Sequence, residues 1–412
     1  MTQSIGPRSW MQPAAPVIAA LEAAGGRALF VGGCVRNTLL GAPVGDVDIA
    51  TTLTPDAATA ALAAAKIRAI PTGIEHGTVT AVLDGQPFEV TTLRRDVETD
   101  GRRAVVAFTT DWGEDAARRD FTMNAIYADA EGRLTDPTGT GIADAQAGRL
   151  VFVGDPATRI AEDSLRILRF FRFLAWYGKG EPDAAALAAC EAGRGLMANL
   201  AAERVAKELL KLLEAYDPRP AVRLMAETGV LGQLLPAPAD LAAFDQLVEI
   251  ETEQLFECDA LLRLATLLPA DQVGVAKAAE ALRLSNDQKE RLVAARGAEV
   301  RITSWMSPRE SRRAVYRIGT GAFADRIKLA WAGSSRSAAT HQWRGLLVLS
   351  QSWEPPPFPL TGADVLKSGV PKGPMVGQVL REVEDWWIDH DFIDDKFSAI
   401  EKLKAVAQGM AY

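Results

Sequence analysis

The fold is decided by two neighbouring segments, LFVGGCVRNTLLG at residues 29–41 and GDVDIATT at residues 45–52. In the first segment, an apolar run that ends at Gly32 and Gly33 predicts a short strand, and the residues after the glycines predict a helix that opens from a tight turn. In the second segment, acidic and apolar residues alternate from Asp46 onward, as they do in a half-buried strand. Together the two segments indicate a domain that mixes strands and helices.

The sequence around these segments extends the same pattern to about residue 150. Thr54 followed by Pro55 predicts the start of an Ala-rich helix, because threonine caps a helix well and proline fits its first turn. TVTAVL and PFEVTTL flank Asp84 and Gly85, which predicts a hairpin with a tight turn. Farther along the chain, helical periodicity replaces the strand signals. We therefore expect an α+β fold, with a mixed head followed by an all-helical extension.

Composition excludes several classes of protein. The 412-residue chain has no uncharged apolar run long enough to cross a bilayer, and its three cysteines are scattered without a CxxC spacing. We therefore expect a soluble cytoplasmic protein with neither a disulfide framework nor a structural zinc site. Taken alone, the net charge of −8 argues against a nucleic-acid partner, but residues 281–345 hold 13 lysines and arginines against 5 acidic residues.

The glycine turn, Arg36 and two aspartates form an ordered set that suits phosphate chemistry. A glycine pair at a helix start lets backbone N–H groups approach a triphosphate, and the helix dipole also favours an anion there. Arg36 lies one turn into the helix and can add a bidentate phosphate contact. Asp46 and Asp48 would point to the same side of a strand, so their carboxylates can bridge Mg²⁺ and phosphate oxygens. This set predicts a metal-dependent nucleotidyl transfer site, the alternative being a glycine turn followed by two solvated acids.

Two further groups of residues belong to the predicted site. Glu89, on the second strand of the hairpin, can hold a metal or take the proton from an attacking 3′-hydroxyl, or it can simply pair with a nearby arginine. In RRDFTMNA, residues 118–125, one arginine can reach phosphate while the other packs or pairs with an acid. Asp120 and Asn124 are four residues apart on one face of the predicted helix, so they can hold ribose hydroxyls. Alone, the segment is also typical of an ordinary charged helix start.

The segment EDSLRILRFFR, residues 162–172, predicts how a base is chosen. On a helix, Asp163, Arg166 and Arg169 form a polar stripe in which Asp163 accepts hydrogen bonds beside the donor fork of Arg166. Cytosine and adenine both present an amino donor next to a ring-nitrogen acceptor, whereas uracil and guanine present the reverse. The pair therefore accepts C and A and rejects U and G, because a wrong base leaves buried polar groups unpaired. The alternative is a salt bridge between the two residues on a solvated helix.

In this order, the motifs resemble those of the class II CCA-adding enzymes, the tRNA nucleotidyltransferases related to bacterial poly(A) polymerases. The resemblance runs from about residue 28 to residue 215 and includes LFVGGCVRNTLLG, DVDIATT, RRDFTMNA, DPTGTGIADAQAG and RIAEDSLRILRFFRF. It implies a polymerase-β-like nucleotidyltransferase head with helical neck, body and tail regions, Mg²⁺ as the cofactor, and tRNA, CTP and ATP as substrates. One departure is Asn37, where the family usually has an aspartate after the arginine.

The resemblance also implies roles for the matching residues. Asp46 and Asp48 would hold Mg²⁺, and residues 96–110 would correspond to a flexible element needed to move from C to A addition. With Asp46, Asp48 and Glu89 as the predicted catalytic residues, the nucleotide-binding set that we predict from motifs and resemblance together is Gly32, Gly33, Arg36, Arg119, Asp120, Asn124, Glu162, Asp163, Arg166, Arg169 and Arg172.

The organisation of the whole chain follows from these motifs and from the Pro-rich segment EPPPFPL. We expect a nucleotidyltransferase head at residues 1–150, a helical neck with the nucleotide-selecting segment at 151–230, a helical body at 231–353 and a helical tail at 354–412. Within the body, Ser307 with Glu310 predicts a capping box at the start of a helix. That helix would carry a basic cluster that follows RNA phosphates, or that is merely a solvated face. The predicted RNA-binding residues are Arg309, Arg312, Arg313, Arg317 and, more weakly, Lys372.

Function follows from the site and the resemblance. We expect a nucleotidyltransferase that adds C, C and A to the 3′ end of tRNA without a template and releases pyrophosphate. The alternatives are a poly(A) polymerase, a partial enzyme that adds only CC or only A, and a catalytically silent RNA-binding protein. The paired aspartates argue against the silent protein.

Overall fold

The computed structural model describes residues 3–74, 77–99, 104–235, 239–334 and 339–409. Contacts between residues divide the chain into two compact units, Met1–Ala237 and Pro238–Tyr412. The first unit contains the predicted head and neck together. The limits of the four predicted domains stay predictions.

The first unit is built on a mixed β-sheet. The strands are β1 (Ala28–Val31), β2 (Asp48–Thr51), β3 (Arg68–Gly73), β4 (Thr78–Leu83), β5 (Gln86–Thr92), β6 (Arg94–Thr99), β7 (Ala104–Phe108), β8 (Tyr127–Ala128) and β9 (Leu134–Thr135). Seven of them form one sheet in the order β3-β4-β5-β2-β1-β8-β9, while β6 and β7 pair separately. In the large sheet β2 runs parallel to β5, and the other neighbours are antiparallel.

Helices surround this sheet and continue beyond it. They are α1 (Ala15–Ala23), α2 (Gly33–Leu40), α3 (Pro55–Ala64), α4 (Trp112–Ala117), α5 (Gly141–Ala147), α6 (Pro156–Glu162), α7 (Leu165–Tyr177), α8 (Ala184–Gly193), α9 (Ala202–Leu213), α10 (Arg219–Glu227) and α11 (Val230–Leu234). The α+β fold predicted from the sequence is therefore confirmed, with a mixed head followed by helices.

Local predictions in the head are mostly confirmed. Helix α2 opens directly from the glycine turn, and the Thr54 hydroxyl caps α3 by accepting a hydrogen bond from the Ala57 N–H. The hairpin of β4 and β5 turns at Asp84 and Gly85, both with positive φ, as a two-residue hairpin turn requires. Strand β2 begins only at Asp48, however, so Asp46 precedes it and the two aspartates do not share a strand face.

Two predicted helices are interrupted in the structure. EDSLRILRFFR spans the end of α6 and the start of α7, with Asp163 extended between them because its carboxylate accepts a hydrogen bond from the Leu165 N–H. RRDFTMNA is not an α-helix either. Phe121 is extended and forms a bridge with Phe152, and only Thr122–Asn124 make a short 3₁₀ turn.

Helix α7 is anchored to the head by aromatic side chains. Phe170 lies 5.9 Å from Phe152 and 6.4 Å from Phe121 between ring centroids, and Phe173 lies 5.2 Å from Phe121. All four rings are buried. Because Phe121 directly follows Asp120, this packing fixes the distance between the head's polar site and the polar side of α7.

The second unit is helical in its described residues. Its helices are α12 (Leu241–Glu253), α13 (Ala260–Leu267), α14 (Gln272–Ala281), α15 (Asn286–Ala295), α16 (Pro308–Ile318), α17 (Thr320–Ala332), α18 (Thr340–Ser352), α19 (Gly362–Lys367), α20 (Pro374–Asp389) and α21 (Lys396–Gly409). EPPPFPL lies between α18 and α19 and is not helical, and a separate apolar cluster holds α19, α20 and α21 together. None of the helices in the described ranges has the length and apolarity that a membrane crossing needs.

Candidate active site

The glycine turn after β1 brings a carboxylate and a guanidinium together. Gly32 has φ of +73°, a conformation that glycine adopts without strain, and its carbonyl accepts the first hydrogen bond of α2 from Arg36. A Cβ atom at Gly32 would lie 3.8 Å from Oδ2 of Asp48 and 4.0 Å from Nη1 of Arg119. The turn therefore faces one acidic and one basic side chain, and a larger residue would crowd the space between them.

Three carboxylates interact around the start of β2. Asp48 is the register partner of Glu89 on the parallel strand β5, so their side chains emerge on the same face of the sheet. The pKa of Asp48 is raised from 3.8 to about 6, mainly by burial and also by the negative charges of Glu89 and Asp46, against the opposing charge of Arg119. The predicted catalytic carboxylates are thus brought together, although Asp46 reaches the cluster from the loop before β2.

This carboxylate cluster fits a divalent cation. Among the described residues, no three His, Cys, Asp or Glu side chains converge closely enough to make a complete metal site by themselves. Mg²⁺ usually takes only one or two carboxylates and completes its shell with water and substrate phosphates. A cation would also relieve the repulsion that raises the pKa of Asp48. The assignment of Asp46 and Asp48 as the residues that hold Mg²⁺ stays a prediction.

Arg118 and Arg119 both bind one buried carboxylate, that of Asp115. Arg118 Nη2 donates to Oδ1 at 2.6 Å, and Arg119 Nη2 donates to Oδ2 at 2.9 Å. Burial alone would raise the pKa of Asp115, but the two guanidinium groups outweigh it and hold the pKa at about 2. Arg119 keeps Nη1 directed at the Gly32 turn. Sequence reasoning missed Asp115, which its spacing of three and four residues before the arginines could have indicated.

Asp120 and Asn124 are joined, as their spacing suggested, but both are already occupied. The Asn124 amide donates to Oδ1 of Asp120 at 2.9 Å, and Arg169 Nε donates to Oδ2 at 2.8 Å. Burial would raise the pKa of Asp120, yet Arg169 and Asn124 hold it at about 2. Asp120 is 8% exposed and connects the head to α7. A role of these two side chains in holding ribose stays a prediction.

Arg36 lies inside this polar network and not on an open surface. Its Nη1 donates to Oδ1 of Asn124 at 2.6 Å, and its Nη2 donates to the Tyr177 hydroxyl at 2.9 Å. The guanidinium also lies 4.2 Å above the Tyr177 ring, and burial lowers its pKa. Asn37, the departure from the family pattern, accepts from Arg36 Nε and Nη2 through its amide oxygen. The phosphate contact expected of Arg36 stays a prediction.

A cavity of about 280 Å³ opens between the head and the segment that begins at Asp163. It is lined by Arg118, Arg119, Asp120, Asp163, Leu165, Arg166, Arg169 and Arg204. Five of these belong to the predicted nucleotide-binding set, while Arg204 on α9 was not anticipated. The predicted residues Glu162 and Arg172 do not line the cavity, but each forms an ion pair with a neighbouring side chain. Glu162 accepts from Arg166 Nη1 at 2.6 Å, and Arg172 Nε donates to Glu208 of α9 at 2.6 Å.

Asp163 and Arg166 line the same cavity, but their side chains bind other partners, and the two residues are joined only by the Arg166 N–H, which donates to the Asp163 carbonyl at 3.0 Å, among the described contacts. Asp163 Oδ2 accepts from Arg204 Nη2 at 2.9 Å, and Arg166 Nη2 donates to the Arg118 carbonyl at 3.2 Å. The alternative of a mutual salt bridge between Asp163 and Arg166 is therefore wrong. Because the helix breaks at Asp163, the acceptor and the donor fork come from different pieces of backbone, each held by its own partner.

The predicted RNA-binding cluster of α16 is largely neutralised within the second unit. The capping box of Ser307 and Glu310 is confirmed. The arginines behind it pair with aspartates in or just after α20: Arg312 with Asp391, Arg313 with Asp389, and Arg317 with Asp385. Arg309 and Lys372 are exposed. The role of these five basic residues in RNA binding stays a prediction, but the helix face that carries three of them is not free.

Residues 96–110, the segment expected to be a flexible element, overlap the hairpin of β6 and β7. Residues 100–103 lie outside the described residues. The described ends pair in register from Arg94 with Phe108 to Thr99 with Ala104. The predicted role of this segment in the change from C to A addition stays a prediction.

Two stretches of the chain match known families. Residues 28–151 match the family described as "Poly A polymerase head domain", and residues 181–241 match "Probable RNA and SrmB- binding site of polymerase A". The second stretch includes α8, α9, α10 and the cavity residue Arg204. With the mixed sheet, the glycine turn and its three carboxylates, the first match defines the class of the protein as a nucleotidyltransferase.

Similarity over nearly the full chain narrows this class. The "CCA tRNA nucleotidyltransferase 1, mitochondrial" of Mus musculus is 34% identical over 385 residues, which cover 91% of this chain and 86% of that protein. The "CCA-adding enzyme" of Latilactobacillus sakei is 31% identical over 374 residues, 90% of this chain and 92% of the other. The crystal structure of the Bacillus stearothermophilus CCA-adding enzyme in complex with CTP superimposes with a TM-score of 0.75 at 26% identity, over 98% of this chain and 99% of that one. The chain belongs to the CCA-adding enzyme family.

Proposed function

We propose that this protein adds C, C and A to the 3′ end of tRNA, using CTP and ATP and releasing pyrophosphate. The observation that carries the proposal is the cavity in which Asp163 and Arg166 lie beside Arg119, the arginine that faces the Gly32 turn and Asp48. One space thus joins groups able to read a base with groups able to hold a triphosphate. The names of the relatives from Mus musculus and Latilactobacillus sakei agree with this activity.

Base choice would rest on the two separately held groups of the cavity. The carboxylate of Asp163 accepts hydrogen bonds, so it suits the amino group of cytosine or adenine. The guanidinium of Arg166 only donates, so it suits the neighbouring ring nitrogen. Uracil or guanine would oppose a carbonyl to the carboxylate and a ring N–H to the guanidinium, and each mismatch leaves a desolvated group without a partner. Selection therefore needs no nucleic-acid template.

The transfer step would take place at the carboxylate cluster. The terminal 3′-hydroxyl of tRNA attacks the α-phosphate of the bound nucleotide, the bond to the β-phosphate breaks, and pyrophosphate leaves. Glu89 lies next to Asp48 across the parallel strands and would accept the hydroxyl proton. Arg119, directed at the glycine turn, would offset the charge on the phosphates. Mg²⁺ bound by Asp46 and Asp48 would supply further positive charge to the phosphate oxygens.

The assay that tests the proposal uses a tRNA that ends just before CCA, incubated with Mg²⁺ and with CTP, ATP or both, and resolves the products by length. Two added nucleotides with CTP alone and three with both support the proposed function. A long ladder with ATP alone would identify a poly(A) polymerase, and addition that stops at CC or requires a CC end would identify a partial enzyme. No extension at all would identify an RNA-binding protein without catalysis. Action in the cytoplasm remains a prediction from the sequence.

A further inference from the structure

Two side chains of helix α9 bind residues in and next to the segment that is proposed to read the base. Arg204 and Glu208 lie one helical turn apart on the same side of α9, which packs against α7. Arg204 Nη2 donates to Oδ2 of Asp163 at 2.9 Å, while Glu208 Oε2 accepts from Arg172 Nε at 2.6 Å. Arg204 therefore binds the carboxylate proposed to read the base, whereas Glu208 binds an arginine of the predicted nucleotide-binding set that has no base-reading role.

Arg204 fixes the direction of the Asp163 carboxylate. Oδ1 of Asp163 accepts from the Leu165 N–H at 3.1 Å, which leaves Oδ2 to Arg204. Two donors on different oxygens prevent the carboxylate from turning, since any rotation breaks one of the two bonds. Arg204 also lines the cavity, with its side chain 53% exposed, so it can keep this contact when a base lies in front of Asp163.

Glu208 has a different task although it lies only one turn away. Its side chain is 10% exposed and lies between Arg172, at 2.6 Å, and Arg169, at 3.9 Å. Without this carboxylate, the two guanidinium groups would repel each other and Arg36, whose pKa the Arg172 charge helps to lower. Glu208 therefore holds Arg169 near the cavity but touches no group assigned to reading the base.

We propose that Arg204 is a positioning residue that sets base discrimination by orienting Asp163, whereas Glu208 supports nucleotide binding without affecting which base is chosen. This inference rests on the proposed function. A freely turning carboxylate at residue 163 can move away from the carbonyl of uracil and tolerate it. With Arg204 in place the carboxylate stays opposed to that carbonyl, and UTP is rejected.

The test measures kcat/KM for CTP and UTP on a tRNA ending before CCA, and for ATP and GTP on a tRNA ending in CC. Arg204→Ala should lower the CTP/UTP and ATP/GTP ratios by about 3- to 10-fold, the effect of losing one hydrogen bond while Asp163 keeps the other, from the Leu165 N–H. Arg204→Lys should restore part of the discrimination because it returns a donor. Glu208→Gln should raise KM for CTP and ATP several-fold with the ratios unchanged.

The matched control is Arg133→Ala, which removes an arginine of similar exposure that pairs with Asp129 in the head. It should leave all four values of kcat/KM unchanged. If Arg204→Ala lowers all four values by one factor and keeps both ratios, the inference is overturned while CCA addition by the wild type still stands. If the wild type adds no CCA, the proposed function fails first. Thermal unfolding of each variant identifies a folding defect. If Arg204→Ala has one, Arg204→Gln replaces it, because its neutral and shorter side chain keeps polarity on α9 but does not reach as far as Nη2 of Arg204; both ratios should again fall.

Discussion

At the scale of single residues, the ionisation of Asp48 is the property most open to measurement. Its pKa of about 6 lies above the ordinary 3.8, so between these values the folded protein holds a proton that the unfolded chain has released. Stability contributed by this residue is therefore lost as pH rises through that window. Glu89→Gln removes a neighbouring negative charge and should lower the pKa of Asp48, which is the midpoint of its titration.

Carboxyl NMR of the metal-free protein, titrated from pH 4 to pH 8, measures this midpoint directly. The wild type should give about 6, Glu89→Gln a lower value, and the exposed control Glu22→Gln no change. A wild-type midpoint near 4 would show that Asp48 is neither desolvated nor repelled by its neighbours.

Asp46 gives a second prediction at this scale. Asp46→Ala should lower nucleotide incorporation by roughly 100- to 1,000-fold or more, because the transition-state charge loses its stabilisation at the phosphates. Binding of tRNA, measured by filter retention, should stay close to the wild-type value. Asp56→Ala, which removes an exposed aspartate from α3, is the control and should retain full turnover. Full turnover by Asp46→Ala would refute the assignment of Asp46 to the metal.

At the scale of elements, the proposed choice of base depends on the break between α6 and α7, where Asp163 lies. Converting Asp163 and Arg166 together to alanine removes both reading groups and should raise incorporation of UMP and GMP relative to CMP and AMP by about 10- to 100-fold. Single-nucleotide extension of tRNA with each of the four triphosphates measures the effect. If the preference for C and A survived in the double variant, base choice would have to lie elsewhere in the cavity.

A second feature at this scale is the set of three ion pairs that joins α16 to the end of α20, here called the charge ladder. The pairs are Arg312 with Asp391, Arg313 with Asp389, and Arg317 with Asp385. Arg317→Glu places a like charge opposite Asp385 and should destabilise the protein by about 0.2–1 kcal/mol, the usual range for an exposed pair. Adding Asp385→Arg restores opposite charges and should recover the loss in urea unfolding. Arg309→Glu makes the same change on the same helix at an arginine without an ion pair in the described residues, and should cost less. Equal costs for the two single variants would show that the ladder contributes nothing.

Elements also show where sequence reasoning succeeds. Apolar periodicity and turn residues predicted β1, α2, α3 and the hairpin of β4 and β5, because local backbone preferences decide those segments. The break at Asp163 was missed because periodicity continues across it, whereas an aspartate that bonds the backbone two residues later ends the helix. The α16 ladder joins Arg313 to Asp389, and the spacing of residues within α16 carries no information about so distant a partner.

At the scale of the whole molecule, charge distribution should govern RNA binding. The chain has a net charge of −8, and three of its basic residues are matched by Asp385, Asp389 and Asp391. Changing these three aspartates to asparagine should strengthen nonspecific RNA binding. The slope of log K against log salt concentration should become steeper by about 0.7 to 0.9 for each arginine that then contacts a phosphate.

A triple variant elsewhere provides the control for net charge. Glu22→Gln, Asp56→Asn and Glu191→Gln remove the same three charges from exposed positions in the first unit. RNA binding is measured between 50 and 200 mM salt. The slope of log K against log salt concentration should then change less in this control than in the variant with asparagine at residues 385, 389 and 391. Equal slopes would mean that net charge, and not the release of the arginines, controls association.

The site as a whole was only partly predictable. Its chemistry was evident from residue types and order, since carboxylates, arginines and glycines occur at spacings that suit triphosphates. Its network of supporting hydrogen bonds was not, because Arg204 and Glu208 bind partners that only the packing of α7 and α9 brings near. Asp115 is different, since its partners Arg118 and Arg119 are close in sequence. A motif identifies the groups that meet a substrate more readily than the groups that hold them.

The crowding around Asp120 has one more consequence. Asn124 occupies one oxygen of its carboxylate and Arg169 the other. A sugar or phosphate that binds Asn124 or Arg169 must first displace the hydrogen bond that this residue makes to Asp120. Nucleotide binding in this cavity therefore exchanges one set of hydrogen bonds for another. Affinity then measures the difference between two sets of hydrogen bonds, and two nucleotides of unlike shape can be held with similar strength through different exchanges.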